Sequence, residues 1–206
     1  MRTSLVLWLC VLAPRAWADA VDPERLIDRL ARTAPASVGF VEARYSPLLR
    51  EPIVVSGELA YLGPTRLDRD VTAPYREHTA IRDGSVSIER EGEQPRTFAL
   101  RRAPELRGLV AGFAGVFAGD SAAVKRSFTI AAKGVEDAWT LELTPLDPGT
   151  QRRVSRILVT GAADEPRCLM VFGEREATTV TLLGAARLDL RPDVPLAHLL
   201  DHCRAE

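Results

Sequence analysis

Histidine, aromatic side chains and long apolar runs are all scarce in this 206-residue chain. It has three histidines, and aromatics make up 6% of its residues. Beyond the first residues, no apolar stretch reaches the length that a membrane helix needs. G-x-S-x-G, H-E-x-x-H, the P-loop and G-x-G-x-x-G are missing, and with them the common signatures of hydrolases, zinc proteases and nucleotide-binding enzymes. Basic residues form no stripe and the formal net charge is −1, which argues against nucleic acid as a partner. No polybasic segment offers itself to anionic lipid. Repeats, low-complexity tracts and linkers are absent too, so a single domain is expected.

What is present begins with a leader. Arg2 supplies a positive charge, and Ser4–Ala13 ("SLVLWLCVLA") is a short apolar core. Ala16-Trp17-Ala18 places small residues where a signal peptidase cuts. We expect a signal peptide over residues 1–18, a domain over 19–206, export, and a periplasmic location. Cys10 leaves with the leader. Cys168 and Cys203 remain. An even pair in an oxidising compartment points to a disulfide closing a loop of about 35 residues. The alternative is two buried thiols.

A helix comes first: Asp22 is a good N-cap, Pro23 suits the first helical position, and Leu26, Ile27, Leu30, Ala31 and Ala34 share a face up to Pro35. Short β-type runs follow: "VGFVEARY", "GELAYL", "TRLDRDV", "REHTAIR", "SVSIER" and "RTFALR". Asp83-Gly84 between the fourth and fifth is a strong hairpin signal. A glycine-rich helix, "PELRGLVAGFAGVFAGD", interrupts the series with Leu106, Leu109, Val110, Phe113 and Phe117 on one stripe. Its glycines weaken it as an isolated helix, so packing must hold it, and it is a candidate for a movable cover. Strands resume with "RSFTIAA", "AWTLELTP", "RRVSRILVT", "RCLMVF", "EATTVTLL" and "ARLDL", and "PLAHLLDHC" closes as a helix. About ten or eleven short strands without βαβ alternation predict an antiparallel, curved sheet or barrel with helices over its apolar face, an α+β fold that is mainly β.

Side chains for chemistry are few. His78 beside Glu77 is either a general base or a plain strand residue. His198 and His202 stand four apart, as metal ligands do on a helix, yet no third ligand is evident, and Cys203 has a better use as a disulfide partner. Glu42 and Arg44 share a strand face but belong to no motif. We therefore expect no enzyme, no metal and no cofactor. What is left is apolar surface: a long sheet under a glycine-rich helix can enclose a cavity for a greasy ligand.

In order and spacing the chain resembles the LolA family of periplasmic lipoprotein carriers. "FVEARY" is similar to the family's Phe-x-Gln segment, with Phe40 and Glu42 in place of the Phe and the Gln. "GELAYLGPTRLD" resembles its Gly-x-Leu-x-x-x-x-Pro strand pair, and "APYREHTAIRDGSVSI" its proline-to-Asp-Gly stretch. "WTLELTP" and "ATTVTLL" resemble later strands. Where the family carries an arginine before the strand-pair proline, this chain has Gly63 before Pro64, and the nearest arginine is Arg66. The pattern "SPLLREP…GEL" is most similar to LolA-related proteins associated with polyene-pigment and fatty-acyl biosynthesis systems.

The resemblance implies an incomplete antiparallel barrel with a helical lid over an apolar cavity. It implies acylated lipid or lipoprotein cargo, an inner-membrane exporter of the resistance-nodulation type as donor, an outer-membrane acceptor, and a monomer. The expected cavity lining is Phe40, Leu59, Tyr61, Leu67, Ile81, Val86, Ile88 and Phe98, under Leu106, Leu109, Val110 and Phe113. Leu48 and Leu49, in the odd turn Ser46–Pro52, are either a docking tip or a plug for the barrel end.

Overall fold

The computed structural model describes residues 21–102, 104–174 and 178–204, with backbone only for 104–109 and 111. The expected leader lies outside these residues. Helix α1 (Pro23–Arg29) starts at Asp22, whose carboxylate accepts from the Glu24 and Arg25 N–H groups. Those bonds, the one from Arg25 foremost, hold its pKa below the usual range. The helix is shorter than its apolar spacing predicts, and Ala31 and Ala34 are exposed. The Arg32 N–H bonds instead to the Phe117 carbonyl at 2.8 Å, which draws the chain out of the helix well before Pro35.

Eleven strands form one sheet: β1 (Ala36–Tyr45), β2 (Ile53–Gly63), β3 (Arg66–Ala73), β4 (Glu77–Arg82), β5 (Ser85–Arg90), β6 (Arg96–Ala99), β7 (Phe128–Val135), β8 (Ala138–Pro145), β9 (Val154–Ala162), β10 (Glu165–Gly173) and β11 (Thr178–Leu183). Its order, β6-β5-β4-β3-β2-β1-β11-β10-β9-β8-β7, is two meanders joined by antiparallel pairing of β1 with β11. The sheet is curved and unclosed, mainly β as the sequence predicts. At the β4–β5 turn both Asp83 (φ 45°) and Gly84 (φ 84°) are left-handed, as a tight two-residue hairpin requires.

Between the two edge strands run α2 (Pro104–Ala118) and α3 (Ser121–Lys125), the latter capped by Asp120 on the Ala123 N–H at 2.8 Å. Gly112 and Gly115 of α2 serve close approach. A Cβ on Gly112 would stand 2.1 Å from the Phe128 ring. Helices α1, α2 and α3 cover the β7–β10 part of one face. Leu26, Ile27, Val116 and Val124 pack there on Phe128, Trp139, Leu141 and Ile157. We call this the inner face.

The other face has its own cover, which the sequence reading placed wrongly. "ARLDL" does not form a strand. After a 3-10 turn at Gly184–Ala186 the chain crosses the outer face, and Leu188, Leu190 and Val194 pack on Ala43, Met170, Val180 and Leu182. The leucines alternate as in a strand, but they bury against a face and take no place in the ladder. Pro192 and Pro195 could not donate to one. Helix α5 (Leu196–His202) follows with Leu199 fully buried, so it is docked and not solvated, and His202 contacts the Ala186 carbonyl at 3.1 Å. Cys203 is bonded to Cys168 on β10, with Cα atoms 5.7 Å apart.

Helix α4 (Pro148–Arg153) takes up the start of the run "RRVSRILVT". Asp147 caps it through the Thr150 N–H at 2.7 Å and the Thr150 hydroxyl at 2.9 Å. It repeats the Asp-Pro start of α1.

The Cys168–Cys203 bond spans 35 residues and pins the outer-face cover. Replacing both cysteines by serine is expected to cost about 3–4 kcal/mol, read from urea unfolding.

Candidate functional site

Residues opposite one another in an antiparallel pair point to the same side of the sheet. Applied strand by strand, the register puts Phe40, Leu59, Tyr61, Leu67, Ile81, Val86, Ile88 and Phe98 all on the inner face. Tyr61, Leu67, Ile81, Val86 and Phe98 are direct neighbours, one on each of β2 to β6. They form an apolar row across half of the sheet. The C-terminal end of α2 meets this row, with the Phe117 ring stacked on Tyr61 at 5.8 Å. Val110 and Phe113 are half-buried on α2, and Phe113 packs on the core under the helices. The side chains of Leu106 and Leu109 lie outside the described residues.

Toward the opposite end of the same strands the inner face becomes charged. Arg69 is on the row of Leu59 and Ile88, and Glu77 faces Arg90 across β4 and β5. These groups form one ladder. The Thr181 hydroxyl donates to Glu42 at 3.0 Å. Glu42 also accepts from Arg44 at 2.7 Å and Arg69 at 3.0 Å. Arg69 reaches Glu77 at 3.6 Å, and Glu77 accepts from Arg90 at 2.6 Å. Arg90 continues to Glu93 at 3.2 Å, and Glu93 to Arg96 at 2.9 Å. Arg69 stands over the Phe40 ring and Arg90 over Tyr75, so the guanidiniums are held by aromatic faces as well as carboxylates. The bond to Glu77 raises the Arg90 pKa further.

Glu42 and Glu77 are covered, with 12% of their side chains exposed, against 37% for Arg44 and Arg90; Glu93 is 40% exposed and Arg96 72%. Arg96 is therefore the ladder member that a ligand on this face would meet most openly. A groove of about 240 Å³ lies at the far end of the ladder, lined by Glu77, Ile88, Arg90, Glu93, Gln94 and Arg96. A larger groove, about 480 Å³, opens beside it where Asp70, His78 and Glu89 oppose one another on the outer side. His78 is paired there with Asp70 at 2.6 Å, as a strand residue with a partner.

The sequence reading missed the ladder, though "TRLDRDV" carried its signal. Alternation that sends Leu67 and Val71 inward sends Arg69 with them.

The turn Ser46–Pro52 stands at the charged end of β1 and β2. Leu48 is 93% exposed and Leu49 40%, and Ile53 nearby is 43% exposed. The turn is closed by the Leu49 N–H on the Ser46 carbonyl at 2.9 Å. Leu48 fills no barrel end.

A family model described as outer membrane lipoprotein carrier protein LolA-like matches residues 15–197. The chain belongs to this LolA-like family. No curated protein matches it. Among solved structures, the LolA superfamily protein NE2245 from Nitrosomonas europaea is 12% identical, covers 84% of this chain and 93% of its own, and has a TM-score of 0.45. LprF from Mycobacterium bovis is 11% identical over 84% of this chain and 97% of its own, with a TM-score of 0.34. The MucA/MucB complex from Pseudomonas aeruginosa contains a chain that is 12% identical, matched over 90% of this chain and 64% of that one, with a TM-score of 0.40. Among the described residues no helix is long and apolar enough to cross a membrane.

Removing one member of the ladder strands its partners in a half-covered site. Glu42→Ala is expected to destabilise by about 2–3 kcal/mol, short of the loss at a fully buried pair, as read from denaturant unfolding.

Proposed function

We propose that this chain is a periplasmic carrier, not an enzyme, that holds the acyl chains of a lipid, lipid-linked product or lipoprotein against the inner face of β1–β6. It would move them from the inner to the outer membrane. The observation that carries the reading is the apolar row Tyr61, Leu67, Ile81, Val86 and Phe98, with α2 at its end. Burying an acyl chain there contributes about 25 cal/mol per Å² of apolar area. Release needs α2 to move from the row, and Val110, half-buried on that helix, is the described position that would meet cargo. Membership of a carrier family supports the same reading. A fatty-acyl or polyene product is the cargo class that the sequence resemblance adds.

Expression of the full chain with its leader, export, and native mass spectrometry of the purified protein test this. A bound species of lipid mass, or saturable binding of a fluorescent fatty acid, is expected. Neither appearing would sink the carrier reading. Val110→Asp should weaken binding about tenfold or more while leaving the fold intact, since Val110 is only half-buried.

The exposed tip favours a second element. Leu48 and Leu49, with Ile53 behind them, would dock on the inner-membrane exporter and the outer-membrane acceptor. A ligand-free accessory subunit would use the same tip, and an empty inner face together with a stable membrane partner would favour that alternative. The double substitution Leu48→Ser with Leu49→Ser should change stability by less than about 0.5 kcal/mol. It should abolish delivery of bound lipid to acceptor membranes, and unchanged delivery would remove the tip from the mechanism.

A further inference from the structure

We infer that the inner face selects an amphiphile with an anionic head, a carboxylate or phosphate, seated on Arg90 and Arg96 with its tail along the apolar row. This rests on the carrier reading above and adds the class of head group.

Three observations converge. First, the inner face of β2–β6 is divided along the strands. The apolar row lies at one end and the ladder at the other, and Ile88, two residues from Val86 on the same strand face, links them. A ligand lying along the strands therefore meets hydrocarbon first and charge second. Second, the groove of about 240 Å³ sits at that junction, with Ile88 in its wall beside Arg90, Arg96 and Gln94.

Third, the donors of this groove are not all used. Both oxygens of Glu77 are engaged, one by Arg69 and one by Arg90. Both oxygens of Glu93 are engaged as well, one by Arg90 and one by Arg96. Within the groove two guanidiniums, Arg90 and Arg96, meet these two carboxylates, while Arg69 lies outside its lining and is shared with Glu42. Each guanidinium has five N–H donors, more than these contacts use, and Arg96 is 72% exposed. What the groove offers is unused guanidinium donors, most exposed on Arg96. Anionic oxygen acceptors match them, and planar guanidiniums bind such acceptors in a fixed geometry. The Tyr75 ring under Arg90 keeps that guanidinium in place before a ligand arrives.

Competition against a fluorescent fatty acid on the purified exported chain tests this, with dodecanoate, monododecyl phosphate, methyl dodecanoate and inorganic phosphate as probes. Dodecanoate and dodecyl phosphate are expected to bind about tenfold tighter than the methyl ester at low salt. The difference should shrink in about 1 M NaCl, where charges are screened. Arg96→Gln leaves the covered Glu77–Arg90 pair untouched and should reduce the preference about threefold. Arg90→Gln should remove it while methyl dodecanoate still binds, which also shows that the protein is folded. Equal binding of the acid and its ester would overturn the head-group inference and leave the carrier reading standing. No binding by any alkyl probe would overturn both. Inorganic phosphate competing as well as dodecyl phosphate would overturn the amphiphile and leave a phosphate site.

Discussion

The pairing of β1 with β11 is the constraint on which the molecule depends. Phe40 opposite Leu183 and Glu42 opposite Thr181 join the N-terminal meander to the C-terminal one, so that two half-sheets become a single surface. Without that seam, the helices would cover one meander and the candidate site would lie on another. The seam is also where buried polar chemistry enters the face. Glu42 spends one oxygen on Thr181 across the seam and the other on two arginines. A carboxylate this well covered is tolerable only because its acceptor sites are filled.

A sheet of this length has two faces, and the apolar part of each needs cover. The solutions differ. On the inner face, α1–α3 cover the β7–β10 part and leave β1–β6 for a mixed apolar and charged surface. On the outer face a single extended segment with one short helix does the work, and the disulfide fastens its far end to β10. The dry core and the candidate binding surface are thus neighbouring parts of one continuous face.

Much of the fold was legible because alternation and turn chemistry are local signals. Asp83-Gly84, the Asp22-Pro23 helix start and the clean alternation of Trp139, Leu141 and Leu143 each appear where the sequence puts them. The inner-face residues follow from the same alternation, as register alone decides which side they take. What was not legible depends on contacts far apart in the chain. Nothing local says that Arg32 will leave its helix for the Phe117 carbonyl, or that Leu188 and Leu190 will lie across a sheet when their spacing suits a strand in it. The ladder fell between these cases. Each charged residue was visible near its own strand, but its meaning needs the seven strands from β11 through β1 to β6 side by side.

The crossover from β6 to β7 has a mechanical consequence. The two free edges of the sheet are joined in sequence only by the segment that contains α2 and α3. Opening or closing the sheet changes the span this segment must bridge, while every interstrand ladder stays intact. On the carrier reading proposed above, the molecule would act as a sprung cuff with one strap: where α2 sits would set the girth of a guest, and a bulkier one would be accommodated by moving a helix and not by breaking a strand.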